Sequence, residues 1–394
     1  MPSDYDNIRK ENISEYGQGT RHLSFLGRLY PDRTHFIFEL LQNAEDAGAS
    51  RVLFHLFQDK LEVLHDGRIF DEKDVRGICG VDEGTKTGDI TKIGKFGIGF
   101  KSVYAYTTTP EIYSGHECFK IDNYVRPYAI SPRTIDDSLT TLFVFHLDKK
   151  DFEQGVACEE IRDRLCKLSA RTLLFLRKIK KIEYSLPDGN GGVYLRDETT
   201  RGGVREVNVI GANNDKDEVE TWLIFERPVA GPNPAVNCPS QVPVEIAFRL
   251  QRNEKEQREE VVRIENSPLV AYFPTEKETR LGFLIQGAYG TTPGRDNITD
   301  TKWNDTLIEE TALLLVDALP CLKKLGFLTI SLLEALPIRM FQFRNSKFYP
   351  LADKLKDTLK KEDLLPADDG TFVSAQNAKL AHAADLRKLL SNDQ

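Results

Sequence analysis

The first strong pattern of apolar positions lies in residues 31–48, where apolar side chains recur at the spacing of an amphipathic helix. Gly48 can end such a helix, because glycine takes up the backbone conformation that follows a helix without steric cost. Two β-rich runs follow at residues 51–57 and 61–65, and the polar residues between them predict a hairpin. The polar residues 71–92 are typical of a surface loop that begins with a short helix.

The next part of the chain alternates between strand and helix signals. Strands are predicted at residues 110–114 and 140–147, and apolar positions at helical spacing predict a long helix over residues 159–180. The composition then changes at residues 187–192, which contain proline, aspartate, asparagine and three glycines. Such a run of turn-forming residues predicts a domain boundary.

Alternating apolar positions beyond this boundary predict a further set of strands, at residues 221–225, 242–250, 261–265, 269–273 and 282–286. The charged residues 253–260 are typical of an exposed hairpin tip. A helix over residues 303–319 follows, and Pro320 is expected to end it because proline lacks the backbone N–H that a helix uses. This region is therefore predicted to be an α+β module of its own.

Composition narrows the class of protein. The chain has 394 residues, a formal net charge of −8 and 40% hydrophobic residues, which suffices for two or three folded domains and excludes a disordered chain. No window approaches the roughly 18 uninterrupted apolar residues of a membrane span, and the first residues lack the features of a secretory leader. We therefore expect a cytoplasmic protein with no membrane partner. The net acidity also argues against non-specific binding to nucleic acid.

The helix in residues 31–48 carries the first group of chemically active side chains. Glu39, Asn43 and Asp46 follow each other at i, i+4 and i+7, so they share one face of the helix. A carboxylate and a carboxamide one turn apart can supply a general base and an oxygen ligand for Mg²⁺. A solvated polar face has the same spacing, and these three residues alone do not separate the two alternatives.

Two further motifs follow in the chain. The dipeptide Asp66-Gly67 ends a predicted strand, which by itself indicates a turn. Gly94, Gly97 and Gly99 precede a predicted helix, where glycines let backbone N–H groups approach a polyphosphate closely. This segment is not a Walker A loop, because Phe100 stands where that motif has lysine. It also differs from a dinucleotide-binding fingerprint, since no parallel βαβ order surrounds it.

The order and spacing of these three motifs resemble the nucleotide site of the GHKL ATPase superfamily, which includes gyrase, the ninety-kilodalton heat-shock chaperone, histidine kinases and MutL. The resemblance spans residues 33–147, and its segments DAGA and IGKFGIGFKSVY look most like the sacsin branch beside the heat-shock chaperone. The fold that it implies is α+β. A Bergerat-type α/β sandwich is expected over residues 1–185 and a transducer-like α+β module over 186–325. Residues 326–394 would begin a further sacsin-like region of a longer protein.

The resemblance implies that the chain binds ATP, with Mg²⁺ as cofactor. Glu39 would be the general base that activates water against the γ-phosphate, Asn43 would reach Mg²⁺, and Asp46 would lie close behind them in the nucleotide site. Arg295, in a loop of the second module, would sense the γ-phosphate. The alternative for Arg295 is a loop arginine paired with Asp296 or Asp300.

The resemblance also assigns the base pocket. Asp66 would accept a hydrogen bond from the exocyclic amine of adenine, Gly67 would lie beneath the base, and Thr141 would support Asp66. The family motif is commonly D-x-G-x-G, whereas this chain has D-G-R-I-F, with Arg68 and Phe70 in place of small residues. This departure leaves the shape of the pocket floor open.

The phosphates would be wrapped by the three glycines named above and by the amide of Phe100. Residues 71–92 would correspond to the lid over ATP, within which Lys86 is a candidate phosphate contact.

The function implied is slow Mg²⁺-dependent hydrolysis of ATP to ADP and phosphate, which drives lid closure and association of two ATPase domains as a homodimer. Likeness to sacsin and the heat-shock chaperone favours a chaperone-like role on a protein client. The alternative is the ATPase subunit of a machine that acts on nucleic acid, for example in bacterial defence. An ATP-binding switch without turnover remains the third alternative.

Overall fold

The chain divides into two compact units that each combine helices with strands. The computed structural model describes residues 1–19, 23–24, 32–81, 99–150, 155–213, 217–231, 241–254, 257–292 and 295–379. Unit 1 comprises Met1–Glu198, Val207–Glu220 and Thr291–Asn297, and unit 2 comprises Thr199–Glu206, Thr221–Gly290 and Ile298–Gln394. The class is therefore α+β, as predicted. Unit 2 includes residues 326–394, for which the sequence predicts a segment of their own.

Unit 1 contains a mixed sheet. Its strands are β1 (Arg51–Leu56), β2 (Lys60–His65), β3 (Glu111–Ser114), β4 (Glu117–Asp122), β5 (Arg126–Ala129), β6 (Thr141–His146), β7 (Lys181–Ser185) and β8 (Gly191–Arg201). They lie in the order β8, β7, β1, β2, β6, β3, β4, β5. β1 pairs parallel with β7 and antiparallel with β2, which confirms the predicted hairpin. The strands predicted at residues 110–114 and 140–147 are confirmed as β3 and β6.

The described residues of unit 1 form four α-helices, namely α1 (Tyr5–Tyr16), α2 (Phe36–Asp46), α3 (Glu72–Cys79) and α4 (Val156–Cys166). α2 confirms the first predicted helix in narrower bounds, because the chain enters it through the 3₁₀ turn Arg33–His35. Asp32 caps that turn by accepting a hydrogen bond from the amide of Thr34.

The two faces of this sheet are covered differently. On β6, Thr141, Phe143 and Phe145 share one face because side chains alternate along a strand. The ring centroid of Phe36 in α2 lies 6.3 Å from that of Phe145, so α2 covers this face. The opposite face carries its own apolar cluster, which consists of Leu53, Leu64, Tyr113, Leu142 and Val144. Burying each large side chain contributes about 1.5–3 kcal/mol, which fixes α2 against the sheet.

The helix predicted over residues 159–180 is wrong beyond Cys166, where α4 ends. The Glu45 carboxylate of α2 accepts hydrogen bonds from the backbone N–H groups of Arg177, Lys178 and Ile179, at 2.7, 2.9 and 2.9 Å. In a helix these N–H groups would donate to carbonyls four residues earlier. A contact that is distant in the sequence therefore replaces the predicted helical turn.

Strand β8 continues from unit 1 into unit 2 at Thr199, and strands β9 (Val204–Asn213) and β10 (Asp217–Ala230) likewise each contain residues of both units. The other strands of unit 2 are β11 (Gln241–Asn253), β12 (Arg258–Val262), β13 (Pro268–Ala271), β14 (Phe273–Glu278) and β15 (Leu284–Gln286), followed by the small hairpin of β16 (Leu365–Pro366) and β17 (Phe372–Val373). The order is β10, β11, β15, β13, β14, and β12 pairs with β11. The tract predicted as a hairpin tip joins β11 to β12, as expected.

In the part of unit 2 that the structure describes, the α-helices are α5 (Lys302–Lys324), α6 (Ile330–Ala335) and α7 (Tyr349–Lys361). The prediction that Pro320 ends the first of them is wrong, because Pro320 lies inside α5. Proline removes one backbone hydrogen bond, and the complete burial of Leu319 and Leu322 on either side offsets that loss. Within the described part of the chain, no helix is long and apolar enough to cross a membrane.

Candidate functional site

α2 carries Glu39, Asn43 and Asp46 on its least buried face. Glu39 and Asn43 are partly buried and Asp46 is exposed, whereas apolar residues of the same helix such as Leu40 and Leu41 are buried in the core. The hydrophobic pattern therefore orients the helix, and its orientation presents the three polar side chains together.

Glu39 lies in a confined position on this face. Its side chain is only 12% exposed, and Nε2 of His35, one turn earlier, lies 3.4 Å from its Oε1. A carboxylate with little solvent around it and a histidine beside it is held in a narrow range of positions. Such restraint is what a general base needs to act on one water molecule.

The end of the glycine-rich segment lies directly against Glu39. A Cβ atom added to Gly99 would lie 2.8 Å from Cδ of Glu39 and closer still to Oε2. Only glycine permits this approach of the backbone to the carboxylate. Gly99 has a φ of −60°, so the requirement for glycine is the close approach and not the backbone conformation.

Phe100 holds Gly99 in this place. Phe100 begins the 3₁₀ helix Phe100–Ala105 and is 1% exposed. Its ring centroid lies 6.0 Å from that of Phe143 and 6.1 Å from that of Phe145, on the face of the sheet that α2 covers. The aromatic packing thus brings the glycine-rich segment and the acidic face of α2 together.

Asp46 has the perturbed carboxyl group of this face. The surrounding protein raises its pKa to about 6, and the carboxylates of Glu45 and Glu39 add repulsion in the same direction. The side chain is nevertheless exposed. The Asp46 carboxyl is therefore reached by water and is also close enough to the protein for its pKa to be raised, as in the wall of an open cleft.

We expect Asp46→Asn to stabilise the protein at pH 8 and to lose this advantage in acid. The pKa of about 6 in the folded chain lies above the usual value near 3.9, so ionised Asp46 destabilises the fold above pH 6. Exposure keeps the gain small, at about 1–3 °C in Tm. Thermal unfolding of both proteins at pH 8, 6 and 4.5 measures it, and a difference that does not change with pH would contradict this cause.

A row of polar side chains crosses the sheet at the end of β2. His65 of β2 pairs with Thr141 of β6, which in turn pairs with Ser114 of β3. The hydroxyl oxygens of Thr141 and Ser114 lie 2.6 Å apart, and Ser114 also accepts a hydrogen bond from the amide of Phe70. Thr141 lies on the face that α2 covers, and the register therefore places His65 there as well.

Asp66 has different partners from those predicted for it. One carboxylate oxygen accepts from the amides of Ser50 and Arg51, at 2.7 and 2.9 Å, and the other accepts from the Ser50 hydroxyl. Partial burial opposes ionisation, but these hydrogen bonds outweigh it and lower the pKa of Asp66. The Thr141 hydroxyl is hydrogen-bonded with that of Ser114, and the hydrogen bonds to the Asp66 carboxylate come from Ser50 and Arg51 rather than from Thr141.

His65 is the residue of this row that sequence reasoning missed. Burial lowers its pKa to about 4 against the opposing charge of Asp66, so the imidazole is neutral. Its Nδ1 accepts a hydrogen bond from the amide of Gly67 at 3.1 Å. The proton of a neutral imidazole then resides on Nε2, which becomes a donor. The signal that could have found His65 is the register of β2 against β6, which no local pattern contains.

Gly67 packs against the C-terminal end of α2. A Cβ atom at this position would lie 2.9 Å from the carbonyl oxygen of Ala47, and the amide of Arg68 donates to the same oxygen at 2.9 Å. The turn after β2 therefore lies against the helix that carries Glu39, and a side chain at Gly67 would push the two apart.

A second residue that the sequence did not single out is Lys101. It is completely buried, and its Nζ donates to the carbonyl oxygens of Ile78, at 2.6 Å, and Tyr124. Burial lowers the pKa of Lys101 to about 8. Ile78 lies in α3, in the first part of the predicted lid at residues 71–92, and Lys101 follows the lid in the sequence. This ammonium group therefore ties the first part of that segment to the residues that follow it.

The remaining predicted residues are placed as follows. Lys86, Gly94 and Gly97 lie outside the described residues. Arg295 is 6% exposed, has a φ of +56° and donates its backbone N–H to the carbonyl of Thr292. Asp300, one of its predicted alternative partners, pairs instead with Lys347.

Comparison with known proteins finds similarity to sacsin and to a plant protein. Residues 19–128 match the model of the sacsin domain. The chain is 28% identical to Protein NO VEIN of Arabidopsis thaliana over 317 residues, which cover 74% of this chain and 11% of that protein. It is 34% identical to sacsin of Homo sapiens over 164 residues, which cover 34% of this chain and 4% of sacsin. The chain thus spans only a small part of the length of either relative.

Among solved structures, the N-terminal domain of a DNA repair protein is similar over 72% of this chain and 92% of that one. The TM-score is 0.40 and the sequence identity is 13%.

Proposed function

We propose that this chain, which carries a sacsin domain over residues 19–128 and is homologous to sacsin and Protein NO VEIN, is a Mg²⁺-dependent ATPase. In this proposal unit 1 is a Bergerat-type ATPase domain that hydrolyses ATP slowly to ADP and phosphate. The observation that carries the proposal is the contact between the backbone at Gly99 and the Glu39 carboxylate. It joins a candidate phosphate-binding segment to a candidate general base.

Glu39 is proposed to orient the attacking water and to accept its proton. Its limited exposure and its histidine neighbour restrict the carboxylate to one region, and Gly99 leaves room for phosphate beside it. General-base assistance of this kind contributes about 10²–10⁴ in rate. Positioning and electrostatic stabilisation supply the rest of the catalysis in phosphoryl transfer.

Asn43 is proposed to hold Mg²⁺ through its side-chain oxygen. Within the described ranges, no group of three His, Cys, Asp or Glu side chains could hold a metal ion. Mg²⁺ usually binds through one or two protein oxygens together with phosphate and water, which a single carboxamide beside Glu39 suits. When bound, the ion would neutralise charge on the β- and γ-phosphates.

The glycine-rich segment and Arg295 complete the proposed phosphate site. Gly99 and the amide of Phe100 offer backbone N–H groups at the start of the 3₁₀ helix, with Gly94, Gly97 and Lys86 as proposed neighbours. Arg295 keeps the role of γ-phosphate sensor as a proposal, supported by the burial of its side chain in a loop.

The base is proposed to contact the row of polar residues at the end of β2. Gly67 and Thr141 remain its proposed neighbours. We favour His65 for the polar contact, because the register with Thr141 places His65 on the face that α2 covers, whereas the hydrogen bonds that Asp66 accepts come from Ser50 and Arg51. A neutral histidine that donates through Nε2 would bond a ring nitrogen of adenine, whereas an aspartate would accept from the adenine amine.

Substitution at His65 and Asp66 separates these two assignments. We expect His65→Leu to weaken ATP binding at least tenfold, and Asp66→Asn to keep the ATP affinity within threefold of that of the unaltered chain. Asp66→Asn instead loses part of a charged hydrogen-bond set, which lowers stability by about 1–3 kcal/mol. Calorimetric titration with ATP and thermal unfolding measure both effects. Loss of ATP binding in a folded Asp66→Asn chain would restore Asp66 as the residue that recognises adenine.

The proposed ATPase would drive a conformational cycle rather than metabolism. Lys101 anchors the first part of the predicted lid, because it donates to the carbonyl of Ile78 and also to that of Tyr124, so we expect lid closure to involve the residues after this anchored part. Association of two such domains and action on a protein client, in a chaperone-like role, are the readings that similarity to sacsin supports best.

Release of phosphate from ATP by the whole chain tests this function. We expect turnover that requires Mg²⁺ and stops when the ion is chelated. Binding of ATP without any release of phosphate would leave the chain as a nucleotide switch, and the absence of both would contradict the proposal.

A further inference from the structure

Unit 2 has a surface groove whose lining residues are all different from those of the site described above. Two cavities of about 470 and 830 Å³ adjoin each other and share Arg263, Arg280 and Gln342. They lie beside α6 and the 3₁₀ helix Met340–Gln342. We refer to the two cavities together as the unit 2 groove.

Apolar side chains project from the rim of this groove. Ile330, Ile338 and Phe341 are 70%, 45% and 68% exposed, and each lines one of the two cavities. Single exposed apolar residues are common on protein surfaces, but three around one concavity form a patch that is typical of an interaction site. The floor of the smaller cavity is also apolar, with Leu336 and Pro337 buried beneath it.

Cationic side chains outnumber carboxylates around the groove, although the chain as a whole is acidic. The cations that line it are Lys277, Arg263, Arg280, Arg339 and Arg344, and the carboxylates are Glu265, Glu278 and Glu334. Glu278 is already engaged, since it accepts hydrogen bonds from the amides of Ser267 and Arg280. In the part of the chain that the structure describes, no carboxylate pairs with Arg280, Arg339 or Arg344.

Arg280 is held in the groove by a specific turn. Its backbone has a φ of +63°, a conformation that favours glycine and asparagine. The Glu278 carboxylate stabilises this turn by accepting the amide of Arg280 at 2.9 Å. An arginine at a position where glycine would relieve strain is more typical of a residue that binds something than of one that only supports a turn.

We propose that the unit 2 groove binds an acidic peptide segment that inserts an apolar side chain. Carboxylates of the peptide would pair with Arg280, Arg339 and Arg344, and the cavity of about 470 Å³ would take a leucine- or phenylalanine-sized side chain against its apolar floor. Exposed arginine and aromatic residues around an apolar pocket are the usual composition of a protein-recognition surface.

The same features disfavour a nucleic acid in this groove. Three carboxylates line it, and each would face a phosphate backbone that carries a charge at every nucleotide. Phe341 is the exposed aromatic ring among its lining residues, whereas single strands bind along a succession of stacking rings. A peptide can place its carboxylates away from the glutamates, which a polynucleotide cannot do.

Fluorescence polarisation with the whole chain tests the proposal. The probe is a short fluorescein-labelled peptide of glutamate and aspartate with a central Leu-Phe pair. We expect saturable binding that weakens at least tenfold when serine replaces Leu-Phe, and at least tenfold when lysine replaces the acidic residues. Binding should also weaken as the salt concentration rises.

Two variants and a matched control identify the site of binding. One variant combines Arg280→Glu with Arg339→Glu, and the other is Phe341→Ser alone. Each should weaken the affinity for the acidic peptide at least tenfold. All three residues are exposed, so the fold should tolerate these changes. Lys356→Glu combined with Lys360→Glu on α7 changes the net charge equally outside the groove, and it should leave the affinity within twofold.

Several results would overturn the proposal. One is that the acidic and the lysine-substituted peptides bind with equal affinity. Another is that the α7 control weakens binding of the acidic peptide as much as the groove variants do. Tighter binding of an oligo-dT probe that is lost in the Arg280 and Arg339 variant would assign the groove to nucleic acid. Self-association of the free chain that Phe341→Ser abolishes would assign it to a second copy.

Discussion

Replacing Glu39 by glutamine is expected to slow phosphate release from ATP at least hundredfold while the dissociation constant for MgATP stays within threefold. Glutamine keeps the size of the side chain but cannot accept the proton of the attacking water, and loss of a general base costs about 10²–10⁴ in rate. The partly buried position beside His35 and Gly99 should hold glutamine in the same place. A coupled phosphate assay and calorimetric titration measure the two quantities.

Glu15→Gln is the control for this experiment, because Glu15 is an exposed glutamate on α1. It should change neither turnover nor binding. If Glu39→Gln hydrolyses ATP as fast as the unaltered chain, another group activates the water. If the Glu39→Gln chain also loses MgATP binding, Glu39 maintains the structure of the site rather than acting as its general base.

The second large effect is expected from Gly99→Ala, which should slow turnover about hundredfold with little change in stability. The new methyl group would occupy the position that the Glu39 carboxylate holds, and the flexible glutamate would swing aside. Displacement of a catalytic group by about 1 Å can cost 10²-fold in rate. The backbone at Gly99, with φ −60° and ψ −47°, accepts alanine, so Tm should change by less than about 3 °C.

Gly19→Ala is the matched control, since a Cβ at Gly19 would meet no atom within 4 Å. A double substitution sharpens the test. If Gly99 acts through Glu39, the chain with both Gly99→Ala and Glu39→Gln should be no slower than the chain with Glu39→Gln alone. Additive losses would show that Gly99 contributes in another way, for example through its backbone N–H on the phosphates.

The sequence predicts those features that rest on local periodicity. α2, the hairpin of β1 and β2, and the shared face of Glu39, Asn43 and Asp46 all follow from the spacing of apolar residues along a short stretch. The close approach of Gly99 to Glu39 is seen only in the structure, because the sequence assigns Gly99 to a phosphate-binding segment and does not pair it with a residue of α2.

The features that the sequence did not predict depend on contacts between distant segments. The pairing of His65 with Thr141 depends on the register of β2 against β6, and a shift by one residue would have brought Asp66 to that face instead. The predicted helix does not continue to residue 180, because the Glu45 carboxylate, far away in the sequence, accepts hydrogen bonds from the backbone N–H groups of residues 177–179. No local pattern contains either interaction.

Lys101 illustrates the same point in the core. A lysine is expected at the surface, yet this one is completely buried. Its burial is tolerated because two carbonyl groups from distant segments accept hydrogen bonds from its ammonium group. The partners are the last turn of α3 and the turn before β5, which the sequence does not bring together in any visible way.

The measurement that tests the central claim most directly is a calorimetric titration of MgATP into the whole chain carrying Glu39→Gln, so that binding is observed without turnover. The proposed ATPase predicts one saturable site with a dissociation constant below about 1 mM. Affinity should weaken at least tenfold when Mg²⁺ is chelated. A folded chain that gives no saturable heat at several times that concentration would contradict the account.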